Sequence, residues 1–264
     1  MSHFKLIVIG DNAEDLVAPF QENNMGDCPR GFLEFEESEE NLEKVDEETG
    51  KYGYWENPMA KWDYHVRGGR YDNCLKLKKG GYANQALKKD IDFKGIENEA
   101  ENEGLNYYDL VSSYVDLSVK GKTLSFDECK DKDEFWDQPF VKRFAKMNSF
   151  KKSDYKSESD YFQLIWMGAD NIYELSKGRE DYIERCKKSS FSAFAFVRKA
   201  QPNALSNDKN KEIYHGSEWI DRGEMGWWGC VSKEKEIQEW EAIVKKVMKE
   251  TSENELITVL DCHI

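Results

Sequence analysis

The chain opens on His3-Phe4-Lys5-Leu6-Ile7-Val8-Ile9-Gly10 and closes on Leu256-Ile257-Thr258-Val259-Leu260-Asp261-Cys262-His263-Ile264. Both are short apolar runs rich in β-branched residues, the pattern of a buried strand. Paired antiparallel, the start of the first lies beside the end of the last, and His3, Asp261 and His263 converge at one end of a sheet. Register decides this outcome, because a slip of one residue sends the two rings to opposite faces.

Between these runs the pattern changes twice. Asp11 and Asn12 are placed to cap a short helix through Phe20, and Phe32–Glu36 alternates like a half-exposed strand. An aromatic, glycine-rich stretch runs from Lys51 to Tyr82. Residues 94–117, 127–147 and 160–187 carry apolar side chains at helical spacing. Phe191–Val197 alternates as a strand. Ser232, followed by Glu234 and Glu236, reads as the start of a last helix with Ile237, Trp240, Val244, Val247 and Met248 on its apolar face. The expected fold class is α+β: an antiparallel sheet with helices on one face, ferredoxin-like (βαββαβ), in which the first and last strands are neighbours. Residues 1–82 and 190–264 form the two parts of the core, and 83–189 a large helical insertion, in one domain overall.

Composition narrows the function classes. The 264 residues include eight Trp and carry a net charge of −14. Acidic and basic residues are interleaved, which suits a solvated surface; general duplex binding needs a basic footprint and is disfavoured. No apolar run reaches the roughly 20 residues that span a bilayer, and the N-terminus lacks the pattern of a signal peptide. Six scattered cysteines without a C-x-x-C pair suggest free thiols in a reducing cytoplasm rather than a zinc framework or disulfide scaffold. No cofactor is expected.

Three groups of residues could carry chemistry. His3, Asp261 and His263 combine two imidazoles with a carboxylate, a set able to shuttle protons or grip phosphate, or simply to lie on the surface. A metal there would need further ligands, with Glu22 and Asp27 as candidates. Lys61-Trp62-Asp63-Tyr64-His65-Val66-Arg67-Gly68-Gly69-Arg70-Tyr71 is the second. Arg67 and Arg70 suit phosphate, Trp62 and Tyr71 suit stacking on a base, and paired glycines allow close backbone approach. The same stretch also reads as a hairpin whose aromatics pack the core. The third, Trp219–Gly229, holds Trp219, Trp227 and Trp228 among three glycines. Trp227 or Trp228 would line a cleft and Glu224 would read a polar edge, unless the loop merely plugs the core.

The Met1-Ser2-His3-Phe4 start, Ala18-Pro19-Phe20-Gln21-Glu22-Asn23, Trp62 with Gly68-Gly69-Arg70, Lys89-Asp90-Ile91-Asp92-Phe93, Arg222-Gly223-Glu224-Met225-Gly226-Trp227-Trp228-Gly229 and the Asp261-Cys262-His263 end together resemble a family of tailed-bacteriophage proteins of unassigned function. The resemblance spans most of the chain and supplies no catalytic residues. It implies a phage accessory protein in the cytoplasm of an infected bacterium, and by analogy a counter-defence role. The leading expectation is therefore a protein that binds a small nucleotide-like anion and sequesters a host immune messenger, with the second and third groups forming the cleft. The alternatives are a phosphodiesterase using His3 and His263, and a protein–protein inhibitor of a host defence enzyme. Self-association is left open.

Overall fold

The computed structural model describes residues 3–38, 45–119, 133–137, 142, 146, 151–154, 179–200, 212–226 and 230–264. The chain divides into two compact units, one of residues 1–93 with 192–264 and one of residues 94–191.

The first unit begins with β1 (His3–Ile9), α1 (Ala13–Val17) and a 3-10 turn over Ala18–Phe20. Four short strands follow: β2 (Glu34–Glu37), β3 (Gly53–Glu56), β4 (Tyr64–Arg67) and β5 (Leu75–Lys76). A 3-10 turn, Gly69–Tyr71, sits between the last two, and β6 (Tyr82–Ala83) and β7 (Gln85–Leu87) complete this half. In the second unit the described helices are α2 (Phe93–Val119), α3 (Asp133–Trp136) and α4 (Arg179–Ser189). There, Gly104 lets the chain approach the Cys186 side chain, where a Cβ would come within 2.9 Å of the sulfur. The first unit then resumes with β8 (Ala195–Lys199), β9 (Glu212–Tyr214), β10 (Ser217–Asp221), β11 (Glu224–Met225), β12 (Val231–Ser232), α5 (Ile237–Glu250) and β13 (Leu256–His263).

The terminal strands pair antiparallel, with His3 opposite His263 and Ile9 opposite Ile257. The main sheet runs β4-β13-β1-β8-β10-β9, and β7 also pairs with β13. Strands β4 and β7 share one edge of β13: the first covers Leu260–His263, the second Leu256–Thr258. Because β1 and β8 run parallel, the sheet is mixed rather than antiparallel. Taking β1, β8, β10 and β13 as strands one to four, the order across the sheet is four-one-two-three. A ferredoxin-like sheet puts its third strand, not its second, beside the first, so that expected order is not the one adopted.

Helices cover both faces, where one covered face was expected. Phe4, Leu6 and Val8 pack with Ala13 and Val17 of α1 and with Phe20, Trp62 and Trp219. The alternate residues Ile7 and Ile9 face the other way and are equally buried. On that side Phe196, the partner of Ile7, meets Trp240 of α5 at 5.9 Å between ring centroids. Double coverage is why β1 and β13 read as continuous apolar runs instead of alternating ones. Buried Arg198 ties the sheet to α5, donating to Glu218 at 2.6 Å and to Glu250 at 2.8 Å.

Two local expectations shift. Ser232 lies in β12 and α5 starts at Ile237, because Lys235 N–H donates to the Arg222 carbonyl and holds the chain extended first. The strand read at Phe191 begins at Ala195. No described helix is long and apolar enough to cross a membrane.

Candidate functional site: paired histidine–aspartate dyads

On β1, residues 3 and 5 share a face with 263 and 261 of β13, as the pleat and register require. The rings of His3 and His263 therefore meet, 5.0 Å apart between centroids and nearly perpendicular at 73°.

Each imidazole has its own carboxylate. His3 Nδ1 lies 2.9 Å from Asp261 Oδ1. His263 Nδ1 lies 2.7 Å from both oxygens of Asp63. An ionised carboxylate only accepts, so Nδ1–H donates in each case and Nε2 is the nitrogen left for chemistry. The backbone fixes both aspartates. Asp63 N–H donates to the His263 carbonyl at 3.0 Å, locking the entry to β4 against the end of β13. Asp261 is 3% exposed, and its second oxygen accepts the Arg70 backbone N–H at 2.9 Å.

Gly69 makes that last bond possible. Its φ is +54°, in the left-handed region, and a Cβ there would collide with the Asp261 carboxylate. The paired glycines do allow a close approach, as their sequence suggests, and the group approached is a side chain of the site itself.

Around the dyads lie further polar groups. Tyr64, opposite His263 across the β4–β13 pair, stacks on its ring at 4.8 Å and is 47% exposed. Glu22 is anchored by its N–H to the Trp62 carbonyl at 2.7 Å. Burial raises its carboxyl above the ordinary range, Asp63 raises it further, and His263 opposes both. Burial also raises the Tyr71 phenol, with the Asp261 charge adding to it. His263 Nε2 is sealed from solvent and has no hydrogen-bond partner among the described residues. Among those residues no group of three or more His, Cys, Asp or Glu side chains is arranged to hold a metal ion. Asp27 is exposed, and Cys262, on the opposite face, is a deeply buried thiol whose proton is held tightly by desolvation.

The expected loop cleft comes apart on inspection of its members. Trp62 is 5% exposed and packs in the core, its indole N–H donating to the Val17 carbonyl at 3.1 Å, so it offers no stacking surface. Arg67 pairs with Leu260 and so projects from the sheet face opposite the imidazoles, bonding Gln85 at 3.3 Å. Arg70 and Tyr71 do belong to the dyad site, the first through its backbone and the second beside Asp261. Glu224 is committed to Lys233 Nζ at 2.6 Å, which lowers its carboxyl and leaves it poorly placed to read a ligand edge. Trp219 is a core residue. Trp227 and Trp228 lie outside the described residues.

The sequence signalled His3, Asp261 and His263 but not the roles of Asp63 and Tyr64. Asp63 had one usable clue: it follows a Trp, so burial of Trp62 turns the next side chain toward the other side of the chain. Compared with family models, with curated proteins and with solved structures, the chain matches none.

Proposed function

We propose that the protein is an acid–base phosphodiesterase acting on a small nucleotide-like anion, with His3 and His263 as its proton-transfer groups. One observation carries this reading: two imidazoles on one sheet face, 5.0 Å apart, each oriented at Nδ1 by a separate carboxylate. A single histidine–aspartate contact is common as a structural tie. A facing pair is harder to explain by stability, because leaving the sealed His263 Nε2 without a partner costs about 1–3 kcal/mol.

The chemistry follows from the geometry. One Nε2, as a free base, takes the proton of an attacking water as its oxygen bonds to phosphorus. The other, as imidazolium, gives a proton to the leaving oxygen as its bond to phosphorus breaks. Asp261 and Asp63 hold the tautomers and stabilise whichever ring carries charge. The products are a phosphomonoester and an alcohol, and return of the proton from the first ring to the second resets the pair. The resemblance to tailed-phage proteins extends the proposal to a host immune messenger as substrate and to counter-defence in the infected cell.

Incubation with cyclic dinucleotides and ADP-ribose derivatives, followed by chromatography and mass spectrometry, tests this. The wild type is expected to yield product, and His3→Asn or His263→Asn to lose about 100-fold or more of the rate. Ligand recovered intact after denaturation means capture without cleavage. Turnover undiminished in both variants refutes the assignment.

A further inference from the structure

Three carboxyl groups, Asp63, Asp261 and Glu22, crowd the two imidazoles. An anionic substrate would be repelled by this set unless a cation opposes it. Lys5 is placed to do so. It follows His3 by two residues on β1, so it shares the imidazole face at a strand distance of about 7 Å. It lies directly opposite Asp261 in the register. Both Asp261 oxygens are already engaged, one by His3 and the other by the Arg70 N–H. No ion pair or side-chain hydrogen bond holds the Lys5 ammonium among the described residues.

We propose that Lys5 is the anion anchor of the dyad site, its ammonium holding a phosphoryl group against the His3 and His263 edges. This rests on the acid–base reading for its substrate class but not for its binding chemistry. A half-buried ammonium without a counter-charge is costly, and an arriving phosphate oxygen supplies the missing partner. Burial lowers the affinity of Lys5 for its proton, while the neighbouring Cys74 acts in the opposite sense. Cys74 itself, raised by burial, is no permanent counter-ion. Exposed Arg70, whose backbone is pinned by Asp261, stands beside the same turn and can add a second positive charge at the rim.

The probe is inorganic phosphate, titrated into full-length protein while the His3 and His263 ring signals are followed by NMR. Wild type is expected to show saturable shifts of both rings. Lys5→Met is expected to weaken phosphate at least about tenfold, and Lys5→Arg, which keeps the charge, to stay within a few-fold of wild type. If diesters are turned over, Lys5→Met is also expected to raise KM more than it lowers kcat. Phosphate that moves neither ring in the wild type, or that binds Lys5→Met as well as wild type, overturns the proposal. Phosphate binding through Lys5 without any diester turnover keeps the anchor and defeats the hydrolase reading. Turnover equal in wild type and Lys5→Met does the reverse.

Discussion

Replacing Gly69 with alanine tests the construction of the site at its tightest point. Two costs are expected. The left-handed backbone at φ +54° penalises any L side chain by about 1–2 kcal/mol. The new methyl also collides with the Asp261 carboxylate, so the charge-assisted bond from the Arg70 N–H, 2.9 Å long, must stretch or break. Losing a hydrogen bond to a charged group costs about 1.5–3 kcal/mol. The sum is about 2.5–5 kcal/mol. Gly80 provides the control: its φ is +90° and open space surrounds it, so Gly80→Ala incurs only the backbone cost. Urea denaturation of the two variants should therefore differ by about 1.5–3 kcal/mol, with Gly69→Ala the weaker. Displacing Asp261 also frees His3, so the His3 Nδ1 proton signal should move in Gly69→Ala and not in Gly80→Ala. Equal costs in the two variants, or an unmoved His3 signal, would refute the claim that Gly69 exists to bring the backbone against Asp261.

Three further outcomes follow from the packing and the charges. Trp62→Ala should destabilise by about 3–5 kcal/mol in denaturant, as a core indole with a satisfied N–H; a loss of ligand affinity at unchanged stability would return it to the surface. Arg198→Met removes the ion pair of the fully buried Glu218 carboxylate and should cost about 3–5 kcal/mol, while Arg198→Met with Glu218→Leu should recover most of it; failure of the second change to rescue would show that the ion pair is not the cause. The Glu22 carboxyl is raised in the folded state, so its stabilising contribution is present below the ordinary carboxylate range and lost as pH rises through the raised value. Glu22→Gln should accordingly gain thermal stability over wild type at pH 8 relative to pH 4, and parallel melting curves at the two pH values would contradict this.

The terminal strands were legible because burial on both faces leaves near-continuous apolar runs: seven of the eight residues of β13 are buried. Their pairing was legible too, and it placed His3 beside His263. Neighbour order was not. The parallel contact of β1 with β8 joins segments separated by the whole second unit, and nothing local in Phe191–Lys199 says which strand it will lie against. The start of α5 was missed for a related reason. Ser232 is a good capping residue by type, but a tertiary bond from Lys235 to Arg222 decides the chain's path there.

The site shows the same division between chemistry that is written locally and geometry that is not. His3, Asp261 and His263 could be joined on paper because alternation and one register suffice. Asp63 could not, since it lies 200 residues from the ring it orients and sits in a stretch whose Trp, Arg and Gly content points to a ligand loop. That composition has another use here: Trp62 fills the core, Gly69 admits the Asp261 carboxylate, and Arg70 contributes its backbone. The dyads thus draw on β1, β13, the entry to β4 and the turn after it, so the facing pair needs all four in register. A one-residue slip of β13 would turn His263 toward the face of Phe4 and Leu6 and bring Cys262 and Leu260 to the imidazole face in its place. The fully buried Leu6–Leu260 pair, three register positions from the His3–His263 pair on the same strands, opposes that slip, so the packing that stabilises the sheet also sets the two imidazoles face to face.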